Sequence, residues 1–246
     1  GYIMAKDRHL LATLSGGLDS AVSLAMAVDL LSPTRIGAIH FEYTQTNSVP
    51  ESQAFYALCD HFGIAEEDRF FFTIPALGGS ALTTAFAPDG IGGAKGIPST
   101  YVPNRNMIII ARAAAQALQQ GYGALCIGVH EQDADYPDCT ASFVNIMKRA
   151  LSEATAGEVS LYAPILKMSK IAIVRTGLRL KVPFELTWSC YNPVEQFSYV
   201  AGDPELKVRY EACGVCTTCK LRLAAFENNG IPDPIEYAQE HPGQEV

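Results

Sequence analysis

Short apolar runs alternate along the chain with longer segments of helical periodicity. His9–Leu14 (HLLATL) is an apolar run that stops at Ser15-Gly16-Gly17, and Ser20–Leu31, rich in Ala, Leu and Met, carries a helical pattern. Ile36–Tyr43 reads as a second strand, and Glu51–Phe62 as a second helix with Gly63 as its stop. Arg69–Ile74 (RFFFTI) gives a third strand. From Pro75 to Pro103 Gly, Pro, Ser and Thr accumulate, a length that marks a functional or mobile loop. Asn104–Gln120 is a strong helix closed by Gly121, and Ala124–Val129 is a buried strand. Ala141–Ala156 is another helix and Met168–Leu180 a shorter one. This alternation predicts right-handed βαβ crossovers, hence an α/β fold on a doubly wound parallel sheet covered on both faces. Residues 1–189 form that body in this reading. Residues 190–246 form a small cysteine-bearing segment, whose Pro-rich, acidic end after Gly230 reads as extended or frayed.

Composition narrows the partners. The 246 residues include 18 basic and 26 acidic ones, a formal charge of −8, which argues against a direct nucleic-acid footprint. No apolar run approaches the roughly 20 residues that span a bilayer, and no signal-peptide pattern opens the chain, so a cytoplasmic protein with no membrane partner is expected. Seven cysteines are a poor fit to a disulfide framework. Cys59, Cys126 and Cys139 are scattered, whereas Cys190, Cys213, Cys216 and Cys219 gather in the last quarter.

Ser15-Gly16-Gly17-Leu18-Asp19-Ser20 joins the first strand to the first helix. In an open α/β sheet, ligands bind outside the carboxyl ends of the strands, so a phosphate site belongs here. Glycines let the backbone turn and aim N–H groups at an anion, and the helix adds its positive end. Ser15 and Ser20 supply hydroxyls, and Asp19 suits a Mg²⁺ ion that bridges phosphates. The turn lacks both the Walker ending and the dinucleotide fingerprint.

These residues carry a resemblance. SGGLDS resembles the SGGxDS signature of the PP-loop ATP pyrophosphatases, whose fold is adenine nucleotide alpha hydrolase-like and which split ATP between the α- and β-phosphates. Val102-Pro103-Asn104-Arg105-Asn106, Gly128-Val129-His130, Tyr136-Pro137-Asp138-Cys139 and Cys213-Gly-Val-Cys-Thr-Thr-Cys219 follow in an order that resembles the QueC family, the 7-cyano-7-deazaguanine synthases of queuosine biosynthesis. The resemblance implies ATP, with Mg²⁺, as a substrate held at Ser15, Gly16, Gly17, Leu18, Asp19 and Ser20. It implies Asp19, Lys170 and Arg105 as catalytic groups. Paired family members make a homodimer the expected assembly.

The remaining stations combine that resemblance with their own chemistry. Arg105, at a helix start, suits phosphate or carboxylate oxygens, since a cation is disfavoured there without an anion. Asn104 and Asn106 suit either ligand contact or helix capping, and capping is expected for Asn104. Asp138 is assigned to the deazaguanine, whose ring N–H and amino group a carboxylate accepts together; the alternative is a cap on the helix starting at Ala141. Tyr136 belongs to the same substrate segment. His130 and Asp133, at the end of a buried strand, face the same crevice, with His130 either a proton carrier or a loop anchor. Cys139 reads as a small buried residue. Lys170 neutralises charge on the transferring phosphate, and Lys167 is the competing, surface-like lysine. Four thiolates at Cys190, Cys213, Cys216 and Cys219 suit structural Zn²⁺, with an iron–sulfur cluster as the rival.

The chain also departs from the family. A Tyr-Gly-Gln-Arg-His segment followed by a glutamate is replaced by Tyr43-Thr44-Gln45-Thr46-Asn47-Ser48-Val49-Pro50-Glu51. The stretch from His130 to Tyr136 is one residue short, Thr140 stands where arginine is common, and the gap from Cys190 to Cys213 is long. These changes spare the glycine turn and the cysteines and fall on the acceptor side. The reading is therefore a ligase that adenylates a 7-deazaguanine carboxylic acid, amidates it with free ammonia and dehydrates the amide to the nitrile. The alternative passes the activated acid to another amine, such as one on a partner protein.

Overall fold

The computed structural model describes residues 8–43, 47–74, 101–131, 136–199 and 206–238. Five parallel strands form the central sheet in the order β3-β2-β1-β4-β5: β1 (His9–Thr13), β2 (Arg35–Glu42), β3 (Arg69–Thr73), β4 (Ala124–Cys126) and β5 (Ser160–Tyr162). The order reverses between β1 and β4, which makes that junction the switch point of a doubly wound fold. Side chains of successive strand residues face opposite sides. Leu10 and Ala12 thus join one core cluster with α1 (Leu18–Leu31), α2 (Ser48–His61) and α5 (Lys170–Arg179). Leu11 joins a second with α3 (Arg105–Gln120) and α4 (Ala141–Ala154).

Several boundaries move from their sequence-based positions for local reasons. Helix α2 starts at Ser48, ahead of Pro50, because a first-turn N–H has no intrahelical partner and its loss to proline costs nothing. Strand β4 ends at Cys126 because its partner β5 offers only three residues, Ser160–Tyr162, to pair with. Asn104, expected to cap α3, sits at the cap in a left-handed conformation (φ 55°) with no side-chain cap bond. Gly121 closes α3 at φ +75°, as its position suggested.

The region beyond Cys190 holds more structure than its sequence announces. Strands β6 (Val194–Tyr199) and β7 (Leu206–Glu211) pair antiparallel, and α6 (Thr217–Glu227) packs on α5, placing Ala225 and Phe226 in the main core cluster. The end of the chain, read as frayed, is held through Ala238: Ala212 donates its N–H to the Glu236 carbonyl at 3.0 Å and accepts from Ala238 at 2.9 Å.

Candidate active site

The turn after β1 is shaped by contacts that only glycine permits. Gly16 lies at φ +87°, and a Cβ there would fall 2.5 Å from the Glu51 carbonyl oxygen at the start of α2. Gly128, just beyond β4, passes so near α1 that a Cβ would sit 2.8 Å from Ser20 Cα. Ser15 and Ser20 brace the turn from within: Ser15 Oγ accepts from Gly17 N at 3.2 Å, and Ser20 Oγ donates to the Gly17 carbonyl at 3.0 Å. Helix α1 has no side-chain cap, and its first intrahelical bond is Ala21 N to the Gly17 carbonyl. The first-turn N–H groups ahead of Ala21 therefore keep donor capacity at the positive end of the helix. That end opens into a cavity of about 230 Å³ at the switch point.

Two walls of the cavity carry charge. Lys170, the first residue of α5, donates to Asp19 Oδ2 at 2.5 Å, and His130 Nε2 lies 3.6 Å from the same oxygen. Burial works to raise the Asp19 pKa, but the Lys170 ammonium and His130 outweigh it and hold the carboxyl well below its usual range. Asp19 Oδ1 is buried and has no hydrogen-bond partner among the described residues. An orphaned carboxylate oxygen beside the positive end of a helix fits a Mg²⁺ ligand. Lys170 lines this wall, whereas Lys167 is exposed and does not line the cavity.

Across the cavity, Arg105 donates from Nη1 to the Tyr43 hydroxyl at 3.1 Å, with its guanidinium 5.6 Å from the Tyr43 ring centre. Burial pushes the Tyr43 phenol up, so it stays neutral beside the cation. Asn106 also lines the cavity and donates to the Asp138 carbonyl at 3.0 Å. Asp138 is buried, and its Oδ2 accepts from Asn106 N at 2.9 Å, so this carboxylate caps α3. Thr140, not Asp138, caps α4 by accepting from Phe143 N at 3.1 Å. Asp138, Tyr136 and His130 stand behind the cavity surface rather than on it; Asp133 lies outside the described residues. Cys139 is buried, as read.

The wall that sequence reasoning missed comes from the C-terminal segment: Trp188, Ser189, Tyr191, Thr218, Leu221 and Arg222. Arg222 is 1% exposed and forks onto Asp233 at 2.7 and 3.0 Å. Its remaining donors reach Thr187 Oγ1 at 2.7 Å and the Phe184 carbonyl at 3.0 Å. The buried stripe of α6 is Cys219, Arg222, Ala225 and Phe226, in which a charged residue interrupts the apolar period.

Beside that wall, the sulfurs of Cys190, Cys213, Cys216 and Cys219 all lie within 4.8 Å of one another. A tetrahedral zinc–thiolate site with bonds of about 2.3 Å would set its sulfurs about 3.8 Å apart, so the four residues fit such an ion with little adjustment. All four positions are protein ligands, the pattern of a structural site.

The family model for the queuosine biosynthesis protein QueC matches residues 9–230. The chain belongs to the QueC family. It is 39% identical over 239 residues to the 7-cyano-7-deazaguanine synthase of Aliarcobacter butzleri, covering 94% of this chain and 96% of that one. It is 40% identical over 234 residues to the synthase of the same name from Koribacter versatilis, covering 92% and 91%. Among solved structures, the U34-tRNA thiolase NcsA from Methanococcus maripaludis with its 4Fe–4S cluster is similar at TM-score 0.44 and 16% identity, over 72% of this chain and 58% of that one. Among the described residues, no helix is long and apolar enough to cross a membrane.

Proposed function

We propose that this chain is an ATP-dependent ligase that adenylates the carboxylate of 7-carboxy-7-deazaguanine, amidates it with ammonia, and in a second activation converts the amide to the nitrile, 7-cyano-7-deazaguanine. The observation that carries the proposal is the uncapped, glycine-lined start of α1, opening into a cavity walled by Asp19, Lys170 and Arg105. The relatives named 7-cyano-7-deazaguanine synthase supply the substrate class.

In this reading the first-turn N–H groups of α1 take the phosphates of ATP. A substrate carboxylate oxygen attacks the α-phosphorus, the bond to the bridging oxygen of the β-phosphate breaks, and pyrophosphate leaves with the electron pair. Lys170 and Arg105 offset the charge that spreads over the transferring group. Asp19 would hold Mg²⁺ through its unpartnered oxygen, and the ion when bound supplies charge neutralisation at the phosphates. His130, Asp133, Tyr136 and Asp138 are proposed for the nucleobase side. Asp138 brings to that role one oxygen already engaged at the start of α3, so a bidentate pair to the base requires that bond to open.

The four cysteines are proposed to bind structural Zn²⁺ in a segment spanning residues 190–246, appended to a nucleotide-binding body of residues 1–189. The working unit on this reading is a homodimer in the cytoplasm. Transfer to a partner protein has no observation in its favour. The test is incubation with 7-carboxy-7-deazaguanine, ATP, Mg²⁺ and ammonium, followed by pyrophosphate release and mass spectrometry. Acid-dependent pyrophosphate with amide and then nitrile supports the proposal, and pyrophosphate without either product contradicts its second half.

A further inference from the structure

Amidation is aided by a group that binds ammonium and takes its proton, because ammonium is the dominant form near neutral pH and has no lone pair with which to attack. Two carboxylates line the cavity among the described residues, Asp19 and Glu51. Asp19 is already engaged by Lys170 and His130. Glu51 sits in the first turn of α2, where its own carbonyl abuts Gly16, and it lines the same cavity as Tyr43 and Arg105. Asn47, 3% exposed, donates from Nδ2 to Glu51 Oε1 at 2.8 Å and to the Cys190 carbonyl at 3.2 Å. The second bond anchors that donor to the cysteine segment. The Glu51 carboxyl group is thus held in place beside the glycine turn, at a point where the chain departs from the family pattern.

We propose that Glu51 is the residue that binds ammonium in the cavity and accepts its proton, with Asn47 as the positioning residue. Glu51 takes one proton from ammonium and later returns it to water. The freed lone pair forms the C–N bond to the acyl carbon, and the C–O bond to the phosphate breaks with its electrons leaving on AMP. The second nitrogen proton goes to the departing phosphate. This inference rests on the ligase reading above.

The test compares ammonium with hydroxylamine, which is largely unprotonated near neutral pH and needs no base to become a nucleophile. In Glu51→Gln, which keeps the shape and the Asn47 contact, acid-dependent pyrophosphate formation in the first turnover stays within a few-fold of the parent. Amide formation from ammonium falls by about 10²-fold and recovers as pH rises, while hydroxamate formation from hydroxylamine is retained. Asn47→Ala raises the ammonium KM more than it lowers kcat. If Glu51→Gln slows ammonium and hydroxylamine equally, or slows pyrophosphate formation as much as amide formation, Glu51 has no role in ammonium activation. If the parent protein releases no pyrophosphate with the acid, the ligase reading falls and this inference with it.

Discussion

Trp188 donates its backbone N–H to the Gly16 carbonyl at 2.8 Å, and its indole N–H to the Cys190 carbonyl at 2.9 Å. The glycine turn and the cysteine cluster are therefore two ends of one short hydrogen-bonded path. Losing order at the cysteines removes a brace from the turn, although no cysteine lines the cavity. A Cys219→Ser variant, or removal of metal by a chelator, is expected to lower Tm by about 10 °C. It is also expected to reduce pyrophosphate release in the surviving folded fraction. Metal content, thermal melting and the release assay on the same preparation check this.

Gly16→Ala places a methyl against the Glu51 carbonyl at a φ that side chains avoid. A cost of about 2 kcal/mol is expected, with near-complete loss of pyrophosphate release. Gly63→Ala, at φ +65° with nothing within 4 Å of the added methyl, isolates the backbone cost alone and is expected to keep activity. Denaturant unfolding and the release assay separate the two variants.

Arg222 and Asp233 are both 1% exposed at the side chain and neutralise each other. Removing one partner strands a buried charge, so Arg222→Met and Asp233→Asn are each expected to cost about 3–5 kcal/mol. The double variant is expected to cost less than the sum, because neither charge is then left alone. A double-mutant cycle by denaturant unfolding measures the coupling.

His40 is fully buried, donates from Nδ1 to the Leu14 carbonyl at 3.0 Å, and its Nε2 has no partner among the described residues. Burial lowers its pKa from the ordinary value near 6.5. In the window below 6.5 the unfolded chain takes up a proton that the folded one refuses. Stability from this residue is therefore complete above 6.5 and falls with decreasing pH, by up to about 1.4 kcal/mol per unit, until the folded pKa is reached. Unfolding free energy measured across pH 7 to 5 is expected to show this slope, and a His40→Gln variant to flatten it.

The parallel strands and the glycine turn were legible because both rest on local pattern: apolar runs for strands buried on both faces, and a turn sequence whose shape demands Gly16. Lys170 was legible through its place in a motif, and the structure sets it against Asp19. Other features depend on partners far away in sequence. Asp138 caps α3 by accepting from Asn106 N, 32 residues before it in the chain, which no local rule anticipates. The buried stripe of α6 holds a cysteine and an arginine where an amphipathic pattern would show leucines, so the helix left no apolar signal. Strand β5 spans three residues, too few for a period to register.

The central claim is that the substrate carboxylate becomes a mixed anhydride with AMP at the start of α1. Supplying 7-carboxy-7-deazaguanine with heavy oxygen in its carboxylate tests this directly. One labelled oxygen is predicted in the AMP released with the amide, since the carboxylate oxygen that attacks phosphorus departs with it. Unlabelled AMP, or label found in inorganic phosphate beside ADP, would contradict the account.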